Sequence, residues 1–183
     1  MAKRLNNSEL DRAISVLCSR FEWHGNVEVL VVGGAAGMMT GQLARERTTG
    51  DCDVIKYHPA EAWHWVELEA EKVGNELGLP QGWFNSQVQI RADSLPSGWE
   101  GRRVLVHQGH RLSVYAAGRA DLIAMKFFAH RPQDLLDLVE LKVTAADVAF
   151  VRSFLLSARE SGSHAGEIAE ALEVLDAWTV VKQ

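Results

Sequence analysis

The sequence predicts an α/β fold in which a small mixed β-sheet with flanking helices is followed by a helical C-terminal subdomain. The stretch 27–32 (VEVLVV) is nearly all branched and apolar, which is typical of a strand buried on both faces. Two short alternating runs at 103–107 and 111–115 predict a β-hairpin. After Gly118, apolar residues recur at helical spacing to the end of the chain.

The composition is that of an ordinary globular protein. Of the 183 residues, 47% are hydrophobic and 23% charged, which excludes a disordered or collagen-like chain. A net charge of −5 argues against unspecific coating of nucleic acid. The sequence has no apolar run long enough to span a bilayer and no apolar N-terminal stretch, so we expect no membrane span, no signal peptide and a cytoplasmic location. Cys18 and Cys52 lie in apolar patterns and are expected to be free thiols.

The first half of the chain alternates between helix and strand patterns. Ser8, with Asp11 three residues later, predicts the N-cap of a first helix that ends at 23–26. Pro59 fits the first turn of a later helix, where its missing N–H costs little, and Gly78 fits the end of that helix. The other predicted elements of this half are a strand at 27–32, a helix at 35–45 and a strand at 53–57.

The second half predicts an irregular stretch at 79–100, the hairpin and four helices. Pro132 fits the first turn of a helix, and Thr144 with Asp147 fits an N-cap pair. The predicted helices are 119–130, 133–141, 148–160 and 165–180. The predicted domains are an α/β core at 1–118 and a helical subdomain at 119–183.

The segment after the buried strand holds the residues that best suggest chemistry. Gly33 and Gly34 follow the strand directly and precede a helix, so backbone N–H groups there can approach a phosphate closely. Asp51 and Asp53 are two residues apart at the start of the next strand, which places both carboxylates on one face. Paired carboxylates suit Mg²⁺, which prefers oxygen ligands. Together these features predict phosphoryl or nucleotidyl transfer.

Two other interpretations of this segment are open. A Gly-Gly pair after a strand is often only a tight turn, and an Asp-x-Asp pair is often a solvated loop edge. A dinucleotide-binding loop needs G-x-G-x-x-G with an acid about 20 residues later. Asp53 lies at that distance, but Gly33, Gly34 and Gly37 do not have the required spacing, so we favour the metal site.

A second segment, at 120–141, contains charged residues between apolar ones. Lys126 follows an apolar run, so its ammonium group either reaches the surface, which we favour from this segment alone, or points into a cleft. Arg131 with Asp134 or Asp137 could form an ordinary salt bridge. Cys52 alternates away from the two carboxylates and is expected in the core. Trp63, Trp83 and Trp99 could stack a base, although aromatic core is the commoner use.

The motifs stand in the order Gly33-Gly34, Arg47-x-Thr49-x-Asp51-x-Asp53, Lys126, and Arg131-x-x-Asp134-x-x-Asp137. In this order they resemble the nucleotidyltransferase superfamily that includes DNA polymerase beta, and in particular its minimal bacterial branch. That branch includes the toxins of type IV abortive-infection toxin–antitoxin pairs and uncharacterised relatives. The segment Leu79-Pro80-x-x-Trp83-Phe84-Asn85 resembles the same group. The resemblance covers residues 25–141 and implies a nucleotidyltransferase-like fold.

The resemblance implies a Mg²⁺-dependent transfer of a nucleoside monophosphate from a nucleoside triphosphate to a hydroxyl acceptor. The acceptor would be RNA such as a tRNA end, a protein side chain or a small molecule. The implied roles are triphosphate binding by Gly33 and Gly34, Mg²⁺ binding by Asp51 and Asp53, and loop ordering or phosphate contact by Arg47 and Thr49. Lys126 and Arg131 would meet the nucleotide, and Asp134 and Asp137 would tie the helical part to Arg131 or assist the site.

The chain departs from the superfamily pattern at two places. Gly34 stands where the pattern typically has serine, so a hydroxyl that could touch phosphate is missing there. A third carboxylate is usual on a later strand, and the candidates here are Asp93 and Asp134. These departures keep an alternative open, namely an inactive binding module of the same fold in a toxin–antitoxin-like complex or a homodimer.

Overall fold

The computed structural model describes residues 3–44, 46–88, 95–160 and 164–181. It confirms the predicted class, a mixed α/β sheet with flanking helices followed by C-terminal helices. The strands are β1 (Val27–Val31), β2 (Cys52–His58), β3 (Phe84–Asn85), β4 (Val104–Gln108) and β5 (Leu112–Ala116). The helices are α1 (Asn7–Arg20), α2 (Gly33–Met39), α3 (Trp63–Leu77), α4 (Arg119–Ala129), α5 (Pro132–Glu140), α6 (Ala145–Glu160) and α7 (Ala165–Val181).

The sheet has the strand order β3-β2-β1-β5-β4. Strand β1 lies at its centre, antiparallel to β2 and parallel to β5, while β3 runs parallel to β2. One face is apolar, because Val29, Val31 and Cys52 alternate onto it, and it carries α1 and α3. Stacking of Trp63 in α3 on Tyr57, with ring centroids 4.7 Å apart, closes this core.

The structure forms two compact units. The first comprises the described residues within 1–93 and 103–117, and it holds the whole sheet with α1, α2 and α3. The second comprises the described residues within 94–102 and 118–183, and it holds α4 to α7. Helix α4 is central to the second unit, because it packs against each of the other three helices. No helix in the described ranges is long and apolar enough to cross a membrane.

Several predicted boundaries are wrong. The N-cap of α1 is Asn6 rather than Ser8, because Asn6 and Glu9 form a capping box with hydrogen bonds of 2.9 and 3.0 Å. Helix α1 also ends at Arg20, before the predicted stop. Helix α2 ends at Met39 rather than at 45, because Gly41, directly after the C-cap Thr40, takes the left-handed φ of +68°.

Candidate functional site

The two predicted carboxylates flank the first residue of β2. Asp51 precedes the strand and Asp53 is its second residue, and both side chains are half-buried. The N–H of Val32, the last residue before α2, donates to the carbonyl of Asp53 at 2.9 Å. The antiparallel pairing of β1 with β2 thus brings Asp53 close to the end of β1, where the Gly33-Gly34 turn predicted to bind phosphate begins.

Cys52 lies between the carboxylates and is fully buried on the apolar face. Burial raises the pKa of its thiol well above the ordinary value, and the negative charges of Asp53 and Asp51 raise it further. The thiol therefore stays protonated at neutral pH and is a core group rather than a nucleophile. The thiol of Cys18 is also buried, and burial raises its pKa to about 12.

The Gly33-Gly34 turn packs directly against the segment 47–53, which carries the two carboxylates and which we call the carboxylate loop. Gly33 has φ +68°, which L side chains rarely adopt, and a Cβ there would lie 3.5 Å from Oδ2 of Asp53. A Cβ on Gly34 would lie 3.4 Å from Oγ1 of Thr49 and 3.7 Å from Nη2 of Arg47. The structure thus brings together Gly33 with Asp53, and Gly34 with Arg47 and Thr49. The Thr49 hydroxyl and the Arg47 guanidinium lie beside the position where the superfamily pattern has a serine.

Thr49 connects this turn to Asp51. Its side chain is 8% exposed, and its hydroxyl donates to the carbonyl of Asp51 at 3.1 Å. Its backbone forms an isolated antiparallel bridge with Leu5, with N···O distances of 2.8 and 3.0 Å. The position of Asp51 therefore depends on Thr49 and on the N-terminal residues that pair with it.

The donors present fit a hard cation such as Mg²⁺. The Asp53 carboxylate lies beside the Gly33 turn, and Asp51 stands two residues before it in the chain, so this segment offers the oxygen ligands that Mg²⁺ prefers. Within the described ranges, no three His, Cys, Asp or Glu side chains come together as a metal cluster. The carboxylate pair would thus need waters or substrate phosphates to complete an octahedral shell, which is the usual arrangement for Mg²⁺. Asp93, one candidate third carboxylate, lies outside the described residues.

Sequence reasoning did not assign a role to Asn85, although it noted the motif that contains it. The parallel register of β2 and β3 pairs Asp53 with Asn85, so the two side chains share a face of the sheet. Asn85 is 8% exposed, its amide nitrogen donates to the carbonyl of Gly82, and its amide oxygen accepts the N–H of Gln87. A neutral amide therefore lies in register beside the second carboxylate.

Trp83 anchors the short strand that carries Asn85. Its indole N–H donates to the carbonyl of Ala70 at 2.8 Å, and its ring fills a slot on α3 where a Cβ on Gly74 would come within 2.7 Å. Its carbonyl accepts the N–H of Cys52 at 2.6 Å. Trp63 and Trp83 are both buried, so they serve as core rather than as stacking platforms for a base, whereas Trp99 is half-buried.

In the second unit, Lys126 lies in a buried ion-pair network. Its side chain is 3% exposed, so the prediction that it reaches the surface is wrong. Its Nζ lies 2.5 Å from Oδ2 of Asp137 and 3.2 Å from Oδ1 of Asp134. Arg131 pairs with the other oxygen of Asp134 at 2.7 Å, which is the salt bridge that the spacing suggested. Gln133 donates to Asp137 at 3.0 Å, so each carboxylate has at least two partners.

This network sets the ionisation of Asp134. Burial alone would raise the pKa of its carboxyl, but the hydrogen bond from Arg131 and the charges of Lys126 and Arg131 outweigh burial and hold the pKa below its ordinary value. The carboxylate is therefore ionised at neutral pH and engaged with both cations. Its use as a third metal ligand, and a contact between Lys126 and phosphate, would require these pairs to open.

Sequence comparison places nearly the whole chain in one protein family. The family model described as "Nucleotidyltransferase of unknown function (DUF6036)" matches residues 8–183. The chain therefore belongs to this family of nucleotidyltransferases. No curated protein and no solved structure matches it significantly.

Proposed function

We propose that this protein is a Mg²⁺-dependent nucleotidyltransferase that transfers a nucleoside monophosphate from a nucleoside triphosphate to a hydroxyl acceptor. One observation carries the proposal, namely the packing of the Gly33 turn against the Asp53 carboxylate. Family membership supports the reaction type. The proposal places the phosphates at this glycine turn, beside the Asp51 and Asp53 carboxylates, whose oxygens suit a divalent cation.

In this proposal Asp51 and Asp53 hold the cation, and Gly33 and Gly34 let the triphosphate approach the backbone. When bound, Mg²⁺ would neutralise charge that develops as the acceptor oxygen bonds to the α-phosphorus and the bond to pyrophosphate breaks. Arg47, whose guanidinium lies beside Gly34, supplies positive charge to the phosphates. Thr49 fixes the carbonyl of Asp51 and thereby orients the carboxylate loop.

The ion-pair network of the second unit has a structural role in this proposal. Its members are Lys126, Arg131, Asp134 and Asp137. Their charges already neutralise one another within the second unit, and the network joins α4 to α5. The acceptor is a hydroxyl of RNA, of a protein or of a small molecule. A cytoplasmic location and an antitoxin-like partner belong to the proposal through the resemblance to the toxin-like branch.

Calorimetric binding of ATP, GTP, CTP and UTP, each with and without Mg²⁺, tests the proposal. We expect metal-dependent binding of at least one nucleotide by the wild type and its loss in Asp51→Asn/Asp53→Asn. The matched control is Asp11→Asn/Asp176→Asn, which removes the same charge from exposed positions outside the loop and should bind normally. Equal binding by the site variant and the wild type would refute the assignment.

A second candidate function is favoured by the lack of a three-carboxylate cluster in the described ranges. In that case the fold serves as an inactive binding module in a homodimer or in a complex with an antitoxin-like protein. The same calorimetry separates the two, because the module would bind no nucleotide with Mg²⁺. Light scattering would then show whether the chain is a dimer.

A further inference from the structure

The N-terminal residues 3–6, which we call the strap, cross the carboxylate loop. Leu5 forms the antiparallel bridge with Thr49, and its side chain is fully buried. Arg4 forms a fork on Thr48, with Nε 2.9 Å from the hydroxyl and Nη2 2.7 Å from the carbonyl. The strap therefore holds two consecutive residues of the loop that leads to Asp51.

The strap is itself fixed at both ends. Asn6 caps α1 through its capping box with Glu9. Lys3 reaches the carbonyl of Gly78, the C-cap of α3, at 2.9 Å and pairs with Glu9 at 3.1 Å. Because two helix ends and a buried leucine hold it, the strap can act as a fixed support for the loop rather than as a loose terminus.

We propose that the strap is a positioning element of the site, which holds the segment 47–53 in the conformation that binds metal and nucleotide. Support passes from Arg4 and Leu5 to Thr48 and Thr49, and from the Thr49 hydroxyl to the carbonyl of Asp51. Residues 3–6 touch no reacting group; they act through the loop. This inference rests on the proposed function for what the loop binds, but the ordering of the loop is a separate claim.

Substitution of Arg4 tests the proposal, because loss of the charge and loss of positioning change the affinity for a cation in opposite directions. Arg4→Ala deletes a positive charge that is bound at Thr48, three residues before Asp51, so Coulomb's law alone would strengthen cation binding. Loss of positioning has the opposite effect, because the apparent affinity falls with the fraction of molecules in the competent conformation, and we expect about fivefold weaker Mn²⁺ binding. Arg4→Lys keeps the charge but loses the fork, so it should also weaken binding.

The experiment combines hydrogen exchange with Mn²⁺ binding measured by electron paramagnetic resonance, on the full chain. Arg20→Ala is the matched control, because Arg20 forms an exposed pair with Glu76 and does not touch the loop. Faster amide exchange in 47–53 and weaker Mn²⁺ binding in both Arg4 variants, with Arg20→Ala unchanged, would support the proposal. Unchanged exchange, or unchanged or tighter Mn²⁺ binding in Arg4→Ala, would overturn it.

The two proposals fail in different ways. If the wild type binds no Mn²⁺, the proposed function fails, and the exchange data alone then decide whether the strap orders the loop. If Asp51→Asn/Asp53→Asn abolishes Mn²⁺ binding while Arg4→Ala does not weaken it, the carboxylate site stands and the strap proposal falls. Thr49→Val and Thr49→Ser probe the last step, since only the serine variant keeps the hydroxyl that donates to Asp51 and only it should retain wild-type exchange.

Discussion

Replacement of Lys126 by methionine should strongly destabilise the second unit. The side chains of Lys126, Asp134 and Asp137 are 3%, 5% and 2% exposed, so the substitution leaves buried carboxylates without their shared cation. Breaking a buried pair by removing one partner costs about 3–5 kcal/mol. At about 2–4 °C per kcal/mol for a chain of this size, the melting temperature should fall by roughly 6–20 °C.

Urea unfolding followed by circular dichroism measures the decrease in the free energy of unfolding, and thermal unfolding measures the decrease in melting temperature. Arg152→Met is the control in the same unit, because the Arg152–Asp176 pair lies on the surface and should contribute less than about 1 kcal/mol. A triple variant adds Asp134→Asn and Asp137→Asn to Lys126→Met and removes the stranded charges, so it should be more stable than the single variant.

Two results would refute the reasoning. One is a decrease in the free energy of unfolding of Lys126→Met that is no larger than the decrease in Arg152→Met. The other is a triple variant less stable than the single one, since the stranded charges would then not be the cause. A stable Lys126→Met protein that no longer binds nucleoside triphosphate would instead favour a direct contact between Lys126 and phosphate.

Two further predictions concern the glycine turn and acid stability. Gly33→Ala should lower the free energy of unfolding by about 1–3 kcal/mol, because φ is +68° at this position, and it should also weaken nucleotide binding. Gly34→Ala should have a smaller effect, because φ is ordinary there and the nearest atom to the new Cβ lies at 3.4 Å. Equal effects of the two substitutions in thermal unfolding would contradict this reasoning. The lowered pKa of Asp134 means that the unfolded state binds its proton more readily, so this contribution to stability is complete above about pH 4 and is lost as pH falls through the lower folded value. Acid unfolding should therefore be less steep in Asp134→Asn than in Asp176→Asn, and equal slopes would count against the pairing.

Local patterns in the sequence predict most of the fold. The run at 27–32, the hairpin and the helical stripes after Gly118 each depend on neighbouring residues, and the corresponding elements form. The N-cap error has a local cause as well. Ser8 and Asn6 are both good caps, and only the glutamate three residues after Asn6 distinguishes them.

Features that depend on distant residues could not be predicted. The two-residue strand β3 and the Leu5–Thr49 bridge have no periodicity of their own, because they exist only through pairing with the carboxylate segment. Lys126 contacts residues on the next helix, beyond the turn at Pro132, so its burial depends on how α4 and α5 pack. The sequence shows the order of the glycines and carboxylates along the chain. The approach of Gly33 to Asp53 could not be predicted from it, because this contact depends on the antiparallel pairing of β1 with β2.

The central position of β1 has a consequence for synthesis of the chain on the ribosome. Its parallel partner β5 is translated only after β2, α3, β3 and β4, so the N–H and C=O groups along one edge of β1 lack their partner strand while these segments emerge. Unpaired strand edges of this kind associate with other chains. A nascent chain that stalls before residue 112 should therefore aggregate on release, whereas one that extends past residue 117 contains all five strands that the structure describes.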